Sequence, residues 1–260
     1  LTVNGAPLDL PVVDAAAGPA EPAGLVILAV KDRQLAQAID EASAVVGPDT
    51  MLLSVMNGLD SEEELARRFG WGRLLLCVAM GMDAQKEGPA VSFRQPGRLV
   101  FGRREGAPDA AVRRVAEALE RAGLAHETPA DMRHRLWWKF MVNTGINQAS
   151  AVLRLPYGAF QPEGDPRSLM WALMREVIAV APGEGVALGE GDLDAWDAVL
   201  AGMPPAGRTS MHQDVEAGRP TEVETFAGRV VALGRRHAVP TPYNQAALWI
   251  LRSRAGAAAG

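Results

Sequence analysis

Apolar positions fall into two regimes along the chain. In the first half, short continuous apolar runs alternate with helical stretches: LVILAV at 25–30, MLLSVMN at 51–57 and LLLCVAMG at 74–81. Runs of this length without polar interruption predict strands buried on both faces. Helical periodicity occupies residues 33–46, 61–69 and 109–122 between and after them. SEEEL opens the 61–69 segment in the manner of a capped, acidic first turn. VSFRQPGRLVFG at 91–102 reads as two short strands around a Pro-Gly turn, and a short strand follows near His126. Strand and helix alternating with short connections predict βαβ units and a parallel sheet.

From about Met132 the pattern changes to helical periodicity over 133–153, 166–181, 192–202, 219–237 and 242–254. The fold expected is therefore α/β: a partial Rossmann-type parallel sheet domain over 1–130, followed by an all-helical domain over 131–260. GEGVALGEG at 183–191 is rich in glycine, but it follows a helix, and Glu184 and Glu190 would repel phosphate. It reads as a linker and not a dinucleotide loop. The tail AGAAAG at 255–260 is expected to fray.

Within LWWKFMVNTGINQASAV, Lys139, Asn143 and Asn147 recur at steps of four. On a regular α-helix each such step advances about 40° past one full turn. One ammonium and two amides then share a stripe among Trp137, Trp138, Phe140, Met141, Val142 and Ile146. A row of donors on a face otherwise suited to core is a place for an oxyanion or a polarised carbonyl. The plain alternative is a solvated lysine with locally bonded asparagines. Burying such groups without partners would cost roughly 1–3 kcal/mol each, so partners or a ligand should meet them.

In open α/β sheets, ligands bind beyond the carboxyl ends of the strands. Lys31 follows the first apolar run and Asn57 ends the second. Each is a candidate ligand group, or else a loop charge and an Asn-Gly turn. In SMHQDVEAGRPTEVE at 210–224, Ser210 can cap the segment after it. Glu222 is either a carboxylate at a helix start or a functional group drawn into a cleft.

Composition excludes several classes. The 260 residues are 48% hydrophobic and 22% charged, with a net charge of −5, which argues against a nucleic-acid partner. The longest apolar runs fall far short of the ~18 residues that cross a bilayer. Cys77 is the single cysteine, so no internal disulfide can form, as fits a reducing cytoplasm. It reads as a small buried hydrophobe. His126, His134, His212 and His237 are scattered without metal spacing, so no metal site is expected. The pairs Arg103–Arg104 and Arg235–Arg236 read as solvated surface.

Several segments together resemble the ketopantoate reductase family. LVILAVKD is similar to its strand ending in a cofactor-side lysine, and LLSVMNGLDSEEEL to its strand leading into Asn-Gly. LWWKFMVNTGINQASAVLRLPYG is similar to the W-x-K-x-x-x-N-x-x-x-N helix, and TSMHQDVEAGRPTEVE to the S-M-x-Q-D-x-x-x-G-R-x-T-E segment. HAVPTPYNQAAL is similar to the closing P-T-P-x-N helix start. The likeness runs in order through nearly the whole chain. It implies reduction of 2-dehydropantoate (ketopantoate) to pantoate with NADPH, on the route to pantothenate and coenzyme A. It also implies a C-terminal domain like that of 6-phosphogluconate dehydrogenase.

By this resemblance Lys139 is the general acid, and Glu222 accepts from the substrate hydroxyl and helps to position Lys139. Asn143, Asn147 and Ser210 bind substrate, while Lys31 and Asn57 line the cofactor side. An ordinary lysine titrates near ~10.4 and is charged at neutral pH. The partner implied is a small 2-oxo acid, and the protein a cytoplasmic monomer or homodimer. A reductase of another 2-oxo acid, or a cofactor-less binding module, are the other readings. The family opens with a strand, G-x-G-x-x-G, a helix and a second strand, all ahead of the segment that LTVNG is similar to. No G-x-G-x-x-G occurs in these 260 residues. The sequence thus reads as one entered part-way, expected to bind nucleotide poorly as it stands.

Overall fold

In the computed structural model, which describes residues 1–12 and 21–257, the apolar runs become adjacent strands. The first half runs β1 (Thr2–Val3), β2 (Ala6–Pro7), β3 (Leu25–Leu28), α1 (Leu35–Ala42), β4 (Met51–Ser54) and α2 (Asp60–Phe69). It continues through β5 (Leu74–Met82), β6 (Gln85–Glu87), β7 (Ala90–Ser92), β8 (Pro96–Gly102), α3 (Ala110–Arg121) and β9 (His126–Glu127). The main sheet has the order β3-β4-β5-β8-β9, and a small one has the order β2-β1-β7-β6.

The main sheet is mixed. β3, β4 and β5 are parallel, β8 is antiparallel to β5, and β9 is parallel to β8. Connection type decides the direction: helices α1, α2 and α3 carry the chain over for the parallel pairs, whereas only the short strands β6 and β7 intervene between β5 and β8. The Pro96–Gly97 pair lies inside β8 and not in a turn. Gly97 has φ +69°, and a Cβ there would come 2.4 Å from the Met80 carbonyl oxygen.

Both faces of the sheet are covered, which is why the strand sequences are continuously apolar. Leu53, Leu75, Cys77, Leu99 and Phe101 pack under Ala111, Val112, Val115 and Leu119 of α3. Successive side chains point to opposite faces, so Leu28, Leu52 and Leu74 meet Leu35 and Ile39 of α1 and Leu65 of α2. Helix α2 begins at Asp60, and Ser61 does not cap it. The Ser61 hydroxyl is buried instead, 2.7 Å from the Ser54 hydroxyl, and donates to Glu62 Oε2 at 2.8 Å. Nor is Arg103 a solvated surface group: it reaches the Gly72 carbonyl at 2.7 Å and pairs with Asp109.

The chain divides into two units, Leu1–Leu136 and Trp137–Gly260. The second half runs α4 (Met132–Val142), a π-helical turn (Asn143–Asn147), α5 (Gln148–Leu153), α6 (Asp165–Val180), α7 (Glu190–Ala201) and α8 (Ser210–Glu216). A second π-helical turn (Glu224–Gly228) then leads into α9 (Arg229–His237) and α10 (Pro242–Ala257). The glycine-rich 183–191 stretch is partly helical, because α7 starts at Glu190, which pairs with Arg175. The expected fraying of the tail falls partly on helical backbone, up to Ala257, and partly on 258–260, which lie outside the described residues.

One buried polar network joins the helices of this unit. Gln148, fully buried, donates from Nε2 to the Thr144 carbonyl at 2.8 Å and to Asn244 Oδ1 at 3.0 Å. Its Oε1 accepts from the Ala227 backbone N–H at 3.0 Å. Asn244 donates from Nδ2 to Glu176 Oε2 at 2.7 Å and to the Leu173 carbonyl at 3.2 Å. Pro242, at the first position of α10, has no N–H to satisfy. The next two N–H groups, of Tyr243 and Asn244, donate to the Glu176 carboxylate at 2.8 and 2.9 Å.

Close packing of α6 on the first π turn depends on Gly145, where a Cβ would stand 2.4 Å from Cγ and Cε of buried Met174. Gly145→Ala should therefore destabilise the protein by about 1–3 kcal/mol, the usual scale for overpacking, read as a lower urea midpoint with an unchanged slope. A second expectation concerns acid. Burial raises the Glu184 carboxyl, but hydrogen bonds and charge from His237 and Arg236 outweigh it and leave the carboxyl below its ordinary range. A carboxyl depressed on folding stabilises the native state above its unfolded value, and that contribution is lost as pH falls through the folded one. The Tm gap between wild type and Glu184→Gln should accordingly be widest near neutrality and close in acid. A gap that does not change with pH would refute the pairing.

Candidate active site

In the first unit, Lys31 follows β3 in extended conformation, with φ −82° and ψ 151°, and its side chain is exposed. Its carbonyl accepts from Gln34 N–H at 2.8 Å, which starts a short 3-10 turn. Asn57 is half-buried in the bend between β4 and α2. The bend is held at its base, where Met56 N–H donates to the Ser54 hydroxyl at 3.3 Å and Val55 N–H to the Leu28 carbonyl at 3.0 Å. Both residues thus stand beyond the carboxyl ends of neighbouring parallel strands.

In the second unit, Lys139 lies on α4 and is half-buried. The regular α-helical stripe needs correction. Asn143 opens a π-helical turn and Asn147 closes it. Hydrogen bonds in such a turn reach one residue further than in an α-helix, so the simple 40° step does not apply from Asn143 onward. Asn143 is half-buried and Asn147 is buried.

Glu222 is half-buried just ahead of the second π turn, and its backbone carbonyl accepts from Phe226 N–H at 3.2 Å. The next bond in that ladder runs from Gly228 N–H to the Val223 carbonyl at 3.0 Å. Between them the Ala227 N–H is left out of the ladder, and Gln148 receives it. The two π turns pack against each other, with Phe140 beside Lys139 in sequence and its ring centroid 6.3 Å from that of Phe226. The segments that carry Lys139, Asn143, Asn147 and Glu222 are thus neighbours within one unit.

Ser210 is not the cap of α8. Thr209 is: its side chain accepts from His212 N–H at 3.1 Å and lies 2.6 Å from the Ser150 hydroxyl. Ser210 follows as the first helical residue, exposed, with its hydroxyl released from backbone capping. Thr209 and Gln148 escaped the sequence reading. A threonine directly before a serine offers two equivalent caps. Gln148 sits beside Asn147 but off the four-residue step.

Comparison with known proteins follows the same division. The family profile "Ketopantoate reductase PanE/ApbA" matches residues 4–106, and "Ketopantoate reductase PanE/ApbA C terminal" matches 131–255. A 2-dehydropantoate 2-reductase of Halobacterium salinarum is 30% identical over 220 residues, covering 85% of this chain and 72% of that protein. One from Aquifex aeolicus is 25% identical over 227 residues, covering 85% and 73%.

Among solved structures, the dimeric ketopantoate reductase of Staphylococcus aureus superposes with TM-score 0.81 at 25% identity, over 99% of this chain and 86% of that one. A D-mandelate dehydrogenase solved with NADH and anilino(oxo)acetate gives TM-score 0.88 at 21% identity, over 100% and 86%, a likeness of fold. Profile matches over both halves, together with a relative 30% identical across 85% of this chain, show that the chain belongs to the ketopantoate reductase family.

Proposed function

We propose that this chain reduces ketopantoate to pantoate with NADPH, as a step toward pantothenate and coenzyme A. The observation that carries the reading is Lys139 on α4, followed by Asn143 and Asn147 at the two ends of a π turn that packs against the turn after Glu222. The relatives' name, 2-dehydropantoate 2-reductase, supports the choice of substrate.

Lys31 and Asn57, beyond the carboxyl ends of two parallel strands, fit a nicotinamide nucleotide by the general rule for such sheets. They are assigned the cofactor side, and no described residue is assigned to its pyrophosphate. When bound, the nicotinamide supplies a hydride to the carbonyl carbon. Lys139 Nζ donates a proton to the carbonyl oxygen, so the ketone becomes a secondary alcohol and no alkoxide is left uncompensated. Asn143 and Asn147 hold the 2-oxo acid in line with that ammonium. The exposed Ser210 hydroxyl donates to the substrate carboxylate. Glu222 accepts from the substrate hydroxyl and helps to position Lys139. The dimeric Staphylococcus aureus relative supports a homodimer, and the biosynthetic role implies a cytoplasmic setting.

Three measurements test this. With the family's opening G-x-G-x-x-G segment supplied ahead of this chain, NADPH oxidation against a panel of 2-oxo acids should give the highest kcat/KM with ketopantoate. Lys139→Ala should lower kcat about 10²–10⁴-fold, the scale for losing an acid catalyst, with its thermal melt unchanged. Near-normal turnover in that variant would remove Lys139 from the mechanism. Ser210→Ala should raise KM for the oxo acid more than it lowers kcat, because a carboxylate contact is already made in the ground state. A pure kcat effect would refute the role given to Ser210.

A further inference from the structure

We infer that Gln148 is a positioning residue for this reaction, an inference that rests on the reading just given. Its side-chain amide bonds both π turns. The Nε2 group holds the Thr144 carbonyl, inside the turn bounded by Asn143 and Asn147. The Oε1 atom holds the Ala227 N–H, the group skipped where the ladder after Glu222 changes from a four-residue to a five-residue reach.

Geometry makes this pairing stringent. The amide is planar, with donor and acceptor on one carbon, so the two bonds of 2.8 and 3.0 Å fix the separation and tilt of the two turns together. Its second donor contact, to Asn244 Oδ1 at 3.0 Å, prevents rotation about the last side-chain torsion. Asn244 is itself held by Glu176 and the Leu173 carbonyl. Gln148 and Asn244 are both fully buried, so water is not at hand to replace a lost bond. Buried backbone groups require partners, and single π turns persist where something outside the ladder meets the group left over. Gln148 meets the Ala227 N–H left out of the second turn and also bonds the Thr144 carbonyl of the first.

The reaction asks for this constraint. Lys139 must deliver its proton to the carbonyl oxygen of a substrate that Asn143, Asn147 and Glu222 hold by its other groups, and errors of about 1 Å in such alignment can cost ~10²-fold in rate. The residues with those roles lie on, or directly ahead of, the two turns that Gln148 joins. Gln148 itself reaches no substrate. It acts through the backbone that carries the groups that do.

The test compares wild type with Gln148→Met, which keeps length and loses all three hydrogen bonds, and Gln148→Glu, which keeps the acceptor for Ala227 N–H and loses the donor. Each, in a chain supplied with the family's opening G-x-G-x-x-G segment, is assayed with ketopantoate and NADPH well below its own melting temperature, and native circular dichroism is confirmed. For Gln148→Met a kcat lower by about 10²-fold is expected, with KM for NADPH within about twofold of wild type and the alkaline limb of the kcat–pH profile displaced. Gln148→Glu should fall between this variant and wild type, and it carries the test alone if Gln148→Met does not fold. Folded variants that melt lower but keep wild-type kcat and pH profile would overturn the inference, since Gln148 would then serve stability only. A wild type inert toward every 2-oxo acid would overturn the functional reading first, and this inference with it.

Discussion

A backbone N–H removed from its own helical ladder inside a protein must be met by another group, and in the helical unit that requirement falls on one side chain. The Ala227 N–H, omitted between two ladder bonds, reaches Gln148 79 residues away in sequence. The same amide returns to the Thr144 carbonyl and to Asn244, 96 residues distant. Three separate stretches of chain therefore have their geometry set at one planar group. Phe140, Met174 and Phe226 are buried in the same unit, and apolar packing of this kind stabilises but specifies little about direction. The polar contacts specify direction.

The sheet unit reaches its specificity by other means. Its strands carry apolar side chains on both faces, and helices cover each face with separate clusters. A strand of this kind cannot slip by one residue without exchanging its two sets of partners. The bend after β4 inherits that rigidity. Asn57 stands three residues beyond Ser54, whose hydroxyl is engaged by Ser61 and by the Met56 N–H. The first turn of α2 thus helps to set the loop in front of it.

Much of this was legible in the sequence. The runs at 25–30, 51–57 and 74–81 identify β3, β4 and β5 because a doubly covered strand needs no polar alternation. The change near Met132 identifies the helical unit, since strand-like runs end there. The antiparallel β8 was not legible. Direction depends on what fills the connection, and the short pairings of β6 and β7 leave little trace in hydropathy. π turns are invisible to a pattern search at a 3.6-residue period, and the group that meets the Ala227 N–H in the second one lies 79 residues away. Lys139, Asn143 and Asn147 stand out by their four-residue spacing, whereas the roles expected of them, of Ser210 and of Glu222 come from motif likeness. Gln148 belongs to no such motif, and its meaning appears only once residues 79 and 96 positions away are brought to it.

The start of α10 has a consequence of its own. Two successive N–H groups, of Tyr243 and Asn244, grip the two oxygens of Glu176, which projects from α6, a helix 67 to 68 residues earlier. A helix seated by its apolar face alone could slide along its neighbour by a turn and lose little packing. Two donors on two oxygens admit a single axial setting, because displacement by one residue would offer the carboxylate Pro242, which has no N–H, or groups already committed to the ladder. Glu176 thus serves as a ruler: it measures where the final helix begins, and with that where every residue on its faces must fall.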